Sequence, residues 1–331
     1  MDRQLAFHSD GTVHRDVSVM DYVPLPEAYY TQNNVTGAAP SIVNAMSVDV
    51  EDYYQVSAFD PYIKKEEWDS FPSRVEASTD RMLEMFSNAS VKGTFFTLGC
   101  VAKRHPDIVK KICDEGHELA SHGWMHYRVR EQTQQQFGED IRKTKSFLED
   151  LTGQSVKGYR AASYSIDEST PWAHDELLEA GYQYSSSIVP VKHDHYGVPH
   201  APRFPFNVNP SGMLEIPVST YRLGKTNHPC GGGGWFRLYP YAVSRFALKH
   251  INDVEHRPSV FYIHPWEIDP GQPRQQGLDF RTRFRHYMNL KSAESKLNAL
   301  LNDFQWGRMD DIYLKDSSVY ASGHLSDTLK S

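Results

Sequence analysis

From residue 42 to residue 304, short β-rich apolar runs alternate with segments that carry helix start and stop signals. No other feature restricts the fold as strongly. A strand, a helix and a second strand in that order call for a mostly parallel sheet with helices outside it. Ile42 to Val48, Gly93 to Leu98, Leu119 to Ser121, Leu214 to Val218 and Ser259 to Ile263 read as strands. Between them, Val75, Met82, Leu83 and Phe86 form one helical stripe. Pro106 opens and Gly116 closes a helix faced by Ile108, Val109 and Ile112. Phe137, Ile141, Leu148 and Leu151 mark another, closed by Gly153. Thr170-Pro171 predicts an N-cap and first turn, with Gly181 ending that helix. Leu297, Leu300, Leu301 and Phe304 predict an amphipathic helix over 291–304. A barrel and a doubly wound sheet both satisfy this pattern.

Charge and cysteine usage exclude several function classes. With 35 Lys+Arg against 42 Asp+Glu, the formal charge is -7, which disfavours a general binder of nucleic-acid phosphates. Cys100, Cys113 and Cys230 are far apart and odd in number, so they support neither a disulfide framework nor a cysteine zinc site. No apolar run approaches the roughly 18 residues of a membrane span. The N-terminus, with Asp2, Arg3, His8, Asp10 and Arg15, has no apolar signal region, so a cytoplasmic location is expected and the sequons at Asn34 and Asn88 are read as chance. Residues 1–40 read as an extension or arm, 41–314 as the catalytic body, and 315–331 as a flexible tail. The Gly231–Gly234 run lacks the Lys-Ser/Thr of a phosphate loop and reads as a flexible loop near a site.

Four segments carry candidate chemistry. Asp49-Val50-Glu51-Asp52 places three carboxylates at the end of an apolar strand, a costly arrangement unless a cation or a reaction uses it. Strand alternation puts Asp49 and Glu51 on one face. His122 and His126, spaced i, i+4, would aim both imidazoles at one point on a helical turn, which is metal-ligand spacing. Arg160 follows a short strand and could pair with a carboxylate. His264 stands at the end of the strand Phe261-Tyr262-Ile263, where α/β folds present their active groups.

In this order the four segments resemble the polysaccharide deacetylase family, the NodB-homology carbohydrate esterases of family 4. The resemblance extends over about residues 42–314. Its longer motifs are Asp49-Val50-Glu51-Asp52-Tyr53, Ser121-His122-Gly123-Trp124-Met125-His126, Ala201-Pro202-Arg203, Phe236-Arg237-Leu238, His264-Pro265-Trp266-Glu267 and Phe284-Arg285-His286-Tyr287. They are most similar to the branch associated with exopolysaccharide loci and exosortase sorting. The resemblance implies an α/β fold, a distorted (β/α)7-type barrel, with a divalent metal, usually Zn2+, and hydrolysis of acetyl groups on sugars. It further implies Asp49 as general base, Arg160 as its partner, and His264 as general acid oriented by Glu267 or Asp269. His122 and His126 become metal ligands with Glu51 or Asp52. The same-face argument favours Glu51, and Asp52 stays open because the family's adjacent acid pair is absent. Tyr164, Trp124 and Trp266 are expected against the sugar, and the Tyr164 backbone N–H at the oxyanion. The implied partner is an acetylated amino-sugar glycan or a lipid-linked precursor, met in the cytoplasm or at the inner membrane face. Two other readings remain at this stage: a metal-free amidohydrolase of cyclic ureides, and a catalytically inactive glycan-binding relative.

Overall fold

The computed structural model describes residues 20–31, 42–193, 196–209 and 211–314. The 315–331 tail and most of the 1–40 arm lie outside the described residues. Among the described residues eight strands run parallel; seven form the barrel wall, β1 (Val43–Val50), β2 (Thr94–Thr97), β3 (Glu118–Ser121), β4 (Gly158–Tyr159), β5 (Tyr184–Ser185), β6 (Met213–Glu215) and β7 (Val260–Ile263), and the eighth, Gln305–Gly307, pairs with the start of β1. The order in the wall is β7-β1-β2-β3-β4-β5-β6. The segment after β6 closes the circuit: Val218 N–H donates to Ile188 O at 3.2 Å, and Ser219 N–H donates to Val260 O at 3.2 Å. The tertiary fold therefore selects the distorted barrel over the open sheet.

Period-2 alternation sorts the strand residues. Met46, Val48, Val50, Phe95 and Leu119 face the outer helices and join the main core. Ala45, Phe96, Ala120, Tyr184 and Ile216 fill the barrel interior. The same alternation sends Ser47 and Asp49 inward above Ala45. The lower end of the barrel is plugged by the helix Met309–Tyr313, whose Met309 N–H donates to Thr94 Oγ1 at 2.8 Å and Asp310 N–H to Glu118 Oε2 at 3.0 Å. Fully buried Phe95 and Phe96 each contribute about 2–3 kcal/mol of transfer free energy. The strand Asp21–Pro24 pairs antiparallel with Phe206–Asn209, which in turn pairs with β6.

Three local expectations change. Thr170 ties a turn with Asp167, and the helix begins three residues later, at Ala173. The His122–His126 segment is not a helical turn: Gly123 (φ +77°) and His126 (φ +53°) are left-handed, and the chain forms a loop. The glycine run is pinned rather than loose. Tyr262 N–H donates to Gly231 O at 2.8 Å, Gly232 bridges Tyr262, and a helix begins at Gly233. A Cβ on Gly232 would overlap the Tyr262 carbonyl oxygen, so that close approach requires glycine.

Candidate metal centre and its proton-transfer groups

The upper, C-terminal ends of the strands carry the site. Asp49 ends its inward row at β1, and Arg160, just beyond β4, reaches across the barrel to meet it. Arg160 is completely buried. Its Nη1 donates to Asp49 Oδ1 at 2.6 Å and to Ser47 Oγ at 2.9 Å. Its Nε donates to Ser186 O at 3.1 Å, Nη2 donates to Ser186 Oγ at 3.0 Å, and the guanidinium lies 4.0 Å from the Phe96 ring centroid. Those partners satisfy a cation that would otherwise cost several kcal/mol to bury. Asp49 Oδ2 lies 3.9 Å from His264 Nε2.

Glu51, His122 and His126 bring one ligand atom each to within 4.8 Å of one another, all buried. Glu51 Oε2 lies 3.1 Å from His126 Nε2 without hydrogen-bond geometry, and it has no other partner. An orphaned buried carboxylate oxygen facing two imidazoles is what a cation site leaves when its donors converge on a shared point rather than on each other. His122 Nδ1–H donates to Arg160 O at 2.8 Å, which leaves Nε2 as a lone pair. His126 Nδ1 sits 3.4 Å from Ser57 Oγ, which also accepts from Ser163 Oγ at 2.6 Å. Burial pushes the His122 pKa down and the His126 pKa far down, so both rings are neutral donors. Burial lifts Glu51 to about 7, opposed by His264. Two imidazoles and one carboxylate with open positions fit a divalent catalytic metal.

The loop that presents both histidines folds for local reasons. Gly99 and Cys100, opening the helix Gly99–Arg104, give their N–H groups to Gly123 O and Trp124 O at 2.9 and 3.0 Å. The Asp140 carboxylate accepts Trp124 N–H at 3.0 and 3.2 Å, and Lys65 Nζ donates to His126 O at 3.1 Å.

His264 closes β7. Its Nε2 lies 3.3 Å from Glu51 Oε1, and its Nδ1–H donates to Glu267 Oε1 at 2.7 Å. Glu267 Oε2 accepts from Arg237 Nε at 2.6 Å, and Arg237 Nη1 anchors on His286 O and Met288 O at 2.8 and 2.9 Å. Burial opposes charge on His264, yet Glu51, Glu267 and Asp49 hold its pKa at about 9. Burial also opposes charge on Glu267, but Arg237 and His264 bring that carboxylate down to about 2.

Several expected residues do other work. Asp52 is not with the ligand cluster. Its carboxylate accepts Ser73 Oγ–H at 2.6 Å and the N–H groups of Tyr53, Arg74 and Val75 at 3.0, 2.9 and 3.2 Å, capping the helix Val75–Asn88. Asp269 is paired with Arg74, so only Glu267 orients His264. The Tyr164 N–H already donates to Ala161 O at 3.0 Å and is not free for an oxyanion. Its buried hydroxyl has no partner. Trp266 is sandwiched between the rings of His264 and His286, with centroids 5.2 and 4.4 Å away. Its Nε1–H points to Glu51 Oε1 at 3.4 Å, so it packs the site rather than offering a face to a sugar. Trp124 lies over Gly99 and Phe147 and borders a cleft of about 360 Å³ with Tyr54, Trp68 and Met125; that cleft does not include the ligand cluster. In the sequence Arg237 stands only within the Phe236-Arg237-Leu238 motif, and its neighbours carry no signal of the contact with Glu267.

Comparison with known proteins divides the chain in two. Residues 67–185 match the polysaccharide deacetylase family, and residues 186–314 match a domain of unknown function, DUF3473. The boundary falls inside one barrel: β6 and β7, with Arg237, His264 and Glu267, belong to the second segment. A peptidoglycan-N-acetylglucosamine deacetylase from Bacillus cereus is 30% identical over 160 residues, 47% of this chain and 58% of that protein. A peptidoglycan deacetylase from Helicobacter pylori is 28% identical over 34% of this chain and 38% of that protein. The chain thus spans about half, or less, of the length of these relatives. A solved Mycobacterium smegmatis structure, assigned to the polysaccharide deacetylases, has a similar fold, with TM-score 0.56 and 17% identity over 84% of this chain and 92% of that one.

Proposed function

We propose that this chain, whose residues 67–185 match the polysaccharide deacetylase family, is a member of it and a divalent-metal hydrolase that removes N-acetyl groups from amino sugars of a bacterial exopolysaccharide or its precursor. The observation that carries the reading is the convergence of an orphaned Glu51 Oε2 on His122 and His126, with Asp49 and His264 beside it, 3.9 Å from one another. A divalent cation, Zn2+ being the first candidate, would be held by Glu51, His122 and His126, and would supply Lewis-acid polarisation of the acetyl carbonyl.

The chain's own groups divide the proton work. Asp49 Oδ2 accepts the proton of the attacking water, while Arg160 on Oδ1 holds the carboxylate in place and aims it. His264 Nε2 hands a proton to the departing amine, which cannot leave as an anion near neutral pH. Glu267 fixes the His264 ring through Nδ1, and Arg237 fixes Glu267. The test is acetate release from a panel of N-acetylhexosamine oligomers together with metal analysis of the purified protein. Activity that follows metal content, and falls with it in His122→Ala and His126→Ala, is the expected result. Full activity in metal-free protein would refute it.

A further inference from the structure

We infer that the helix Phe280–Tyr287, with Arg274 beside it, is a docking surface for an anionic phospholipid bilayer that holds the open end of the barrel against a membrane. Phe280 is 83% exposed and Phe284 53% exposed, one helical turn apart. Their rings stack at 6.3 Å and 17°. Two adjacent, stacked, exposed aromatic rings are an apolar surface of the kind found on binding faces. Around it stand Arg274, Arg281, Arg283 and Arg285, all exposed. None of the four has a carboxylate partner among the described residues, whereas surface arginines elsewhere, such as Arg81, Arg142, Arg245 and Arg308, each face an acid. Asp279 offsets at most one of these charges. Its carboxylate accepts the N–H groups of Arg281 and Thr282 and the Tyr62 hydroxyl. Four arginines, Arg274 lying 4.2 Å over the Tyr287 ring, against the one carboxylate of Asp279 therefore leave a net cationic patch on a chain whose net charge is -7.

The chemistry of the pair selects the occupant. Guanidinium groups bind phosphate oxygens, and phenylalanine rings settle at the boundary between headgroup and acyl chain. At the headgroup boundary of an anionic bilayer one surface offers both the phosphates for the arginines and the apolar partner for the 83%-exposed Phe280 ring. An eight-residue helix, about 12 Å long, lies along an interface and cannot span it. Its position matters for the site. His286, on the inner side of this helix, stacks on Trp266, and Trp266 reaches Glu51. A bilayer bound here would therefore sit at the mouth above the ligand cluster, where a lipid-linked amino sugar is presented. Docking rests on the patch alone; only the identity of the presented substrate rests on the deacetylase reading.

The experiment is flotation of the full chain with vesicles of phosphatidylcholine alone and with 30 mol% phosphatidylglycerol, at low salt and at 0.5 M NaCl. Binding to the anionic vesicles at low salt, lost in high salt, is expected. Each arginine near such a surface contributes roughly a factor of five, so Arg281→Gln with Arg283→Gln should weaken the partition about 30-fold. Phe280→Ser with Phe284→Ser should weaken it at least as much. Both double variants should keep the parent's thermal midpoint and its turnover of a short soluble oligomer. Equal binding to neutral vesicles, parental binding by either double variant, or binding to soluble alginate but not to vesicles would overturn the inference. Because flotation needs no catalysis, a failed deacetylase reading would leave its outcome readable.

Discussion

Replacing Asp52 by Asn removes the charge that caps the Val75–Asn88 helix. Oδ2 holds Ser73 Oγ–H, Arg74 N–H and Val75 N–H, and Oδ1 holds Tyr53 N–H. An amide has one oxygen, so either the helix end or Tyr53 N–H comes to face an NH2 donor. Loss of the charge at a partly buried helix N-terminus costs about 1–2 kcal/mol. A buried N–H left opposite a donor costs about 1–3 kcal/mol, less where the neighbouring cleft admits water. Together they put Asp52→Asn about 2–4 kcal/mol below the parent in urea unfolding. Metal content should be unchanged, because no Asp52 oxygen joins the ligand cluster. Glu51→Gln should do the reverse. It removes a buried carboxylate that supports no backbone, so metal-free stability should not fall. It also converts an anionic ligand into an amide. Changes one shell further out typically weaken metal binding 10–100-fold, so this one should cost at least about 100-fold. Unfolding is measured in chelator, to keep binding linkage out of the comparison. Metal is measured by elemental analysis after dialysis against limiting Zn2+. If Asp52→Asn loses metal while Glu51→Gln keeps it, or if Asp52→Asn is as stable as the parent, the assignment of these two acids is wrong.

Three further outcomes are expected. His264→Ala should lower kcat on the amide substrate about 10²–10⁴-fold with metal retained, and an activated acetyl ester should suffer much less; equal losses on both substrates would remove His264 as the proton donor. Gly232→Ala should destabilise the barrel by more than about 4 kcal/mol, since its Cβ meets the Tyr262 carbonyl at φ +125°, and a parental thermal midpoint would show that the approach is not required. Burial raises Asp140 to about 6, so the folded state loses stability as pH climbs from the unfolded value near 3.8 through 6. Asp140→Asn should therefore gain on the parent by up to roughly 3 kcal/mol between pH 4 and pH 7, and a stability difference that is flat across that window would contradict the buried-carboxylate account.

Sequence alone determined the strand–helix alternation, because apolar period and Gly or Pro punctuation are local and survive in one dimension. It also singled out Asp49 and Glu51, because carboxylates closing an apolar strand are costly unless something uses them, His122 and His126 by their i, i+4 spacing, and Arg160 and His264 by their places at strand ends. Barrel against open sheet was not legible, since closure rests on two hydrogen bonds from Val218 and Ser219 to residues 30 and 41 positions away. Asp52 and Glu51 are neighbours with the same chemistry. Only the arrival of the Val75–Asn88 helix end beside Asp52, and of two imidazoles beside Glu51, gives them different work. Arg237 and Glu267 are 30 residues apart, and their ion pair exists because the glycine run is clamped against β7. Likewise Trp266 and Trp124 carry the same aromatic surface on paper as any sugar platform. What they stack on is set by neighbours brought in from distant segments, so the tertiary structure alone decided that one packs under the site and the other borders a separate cleft.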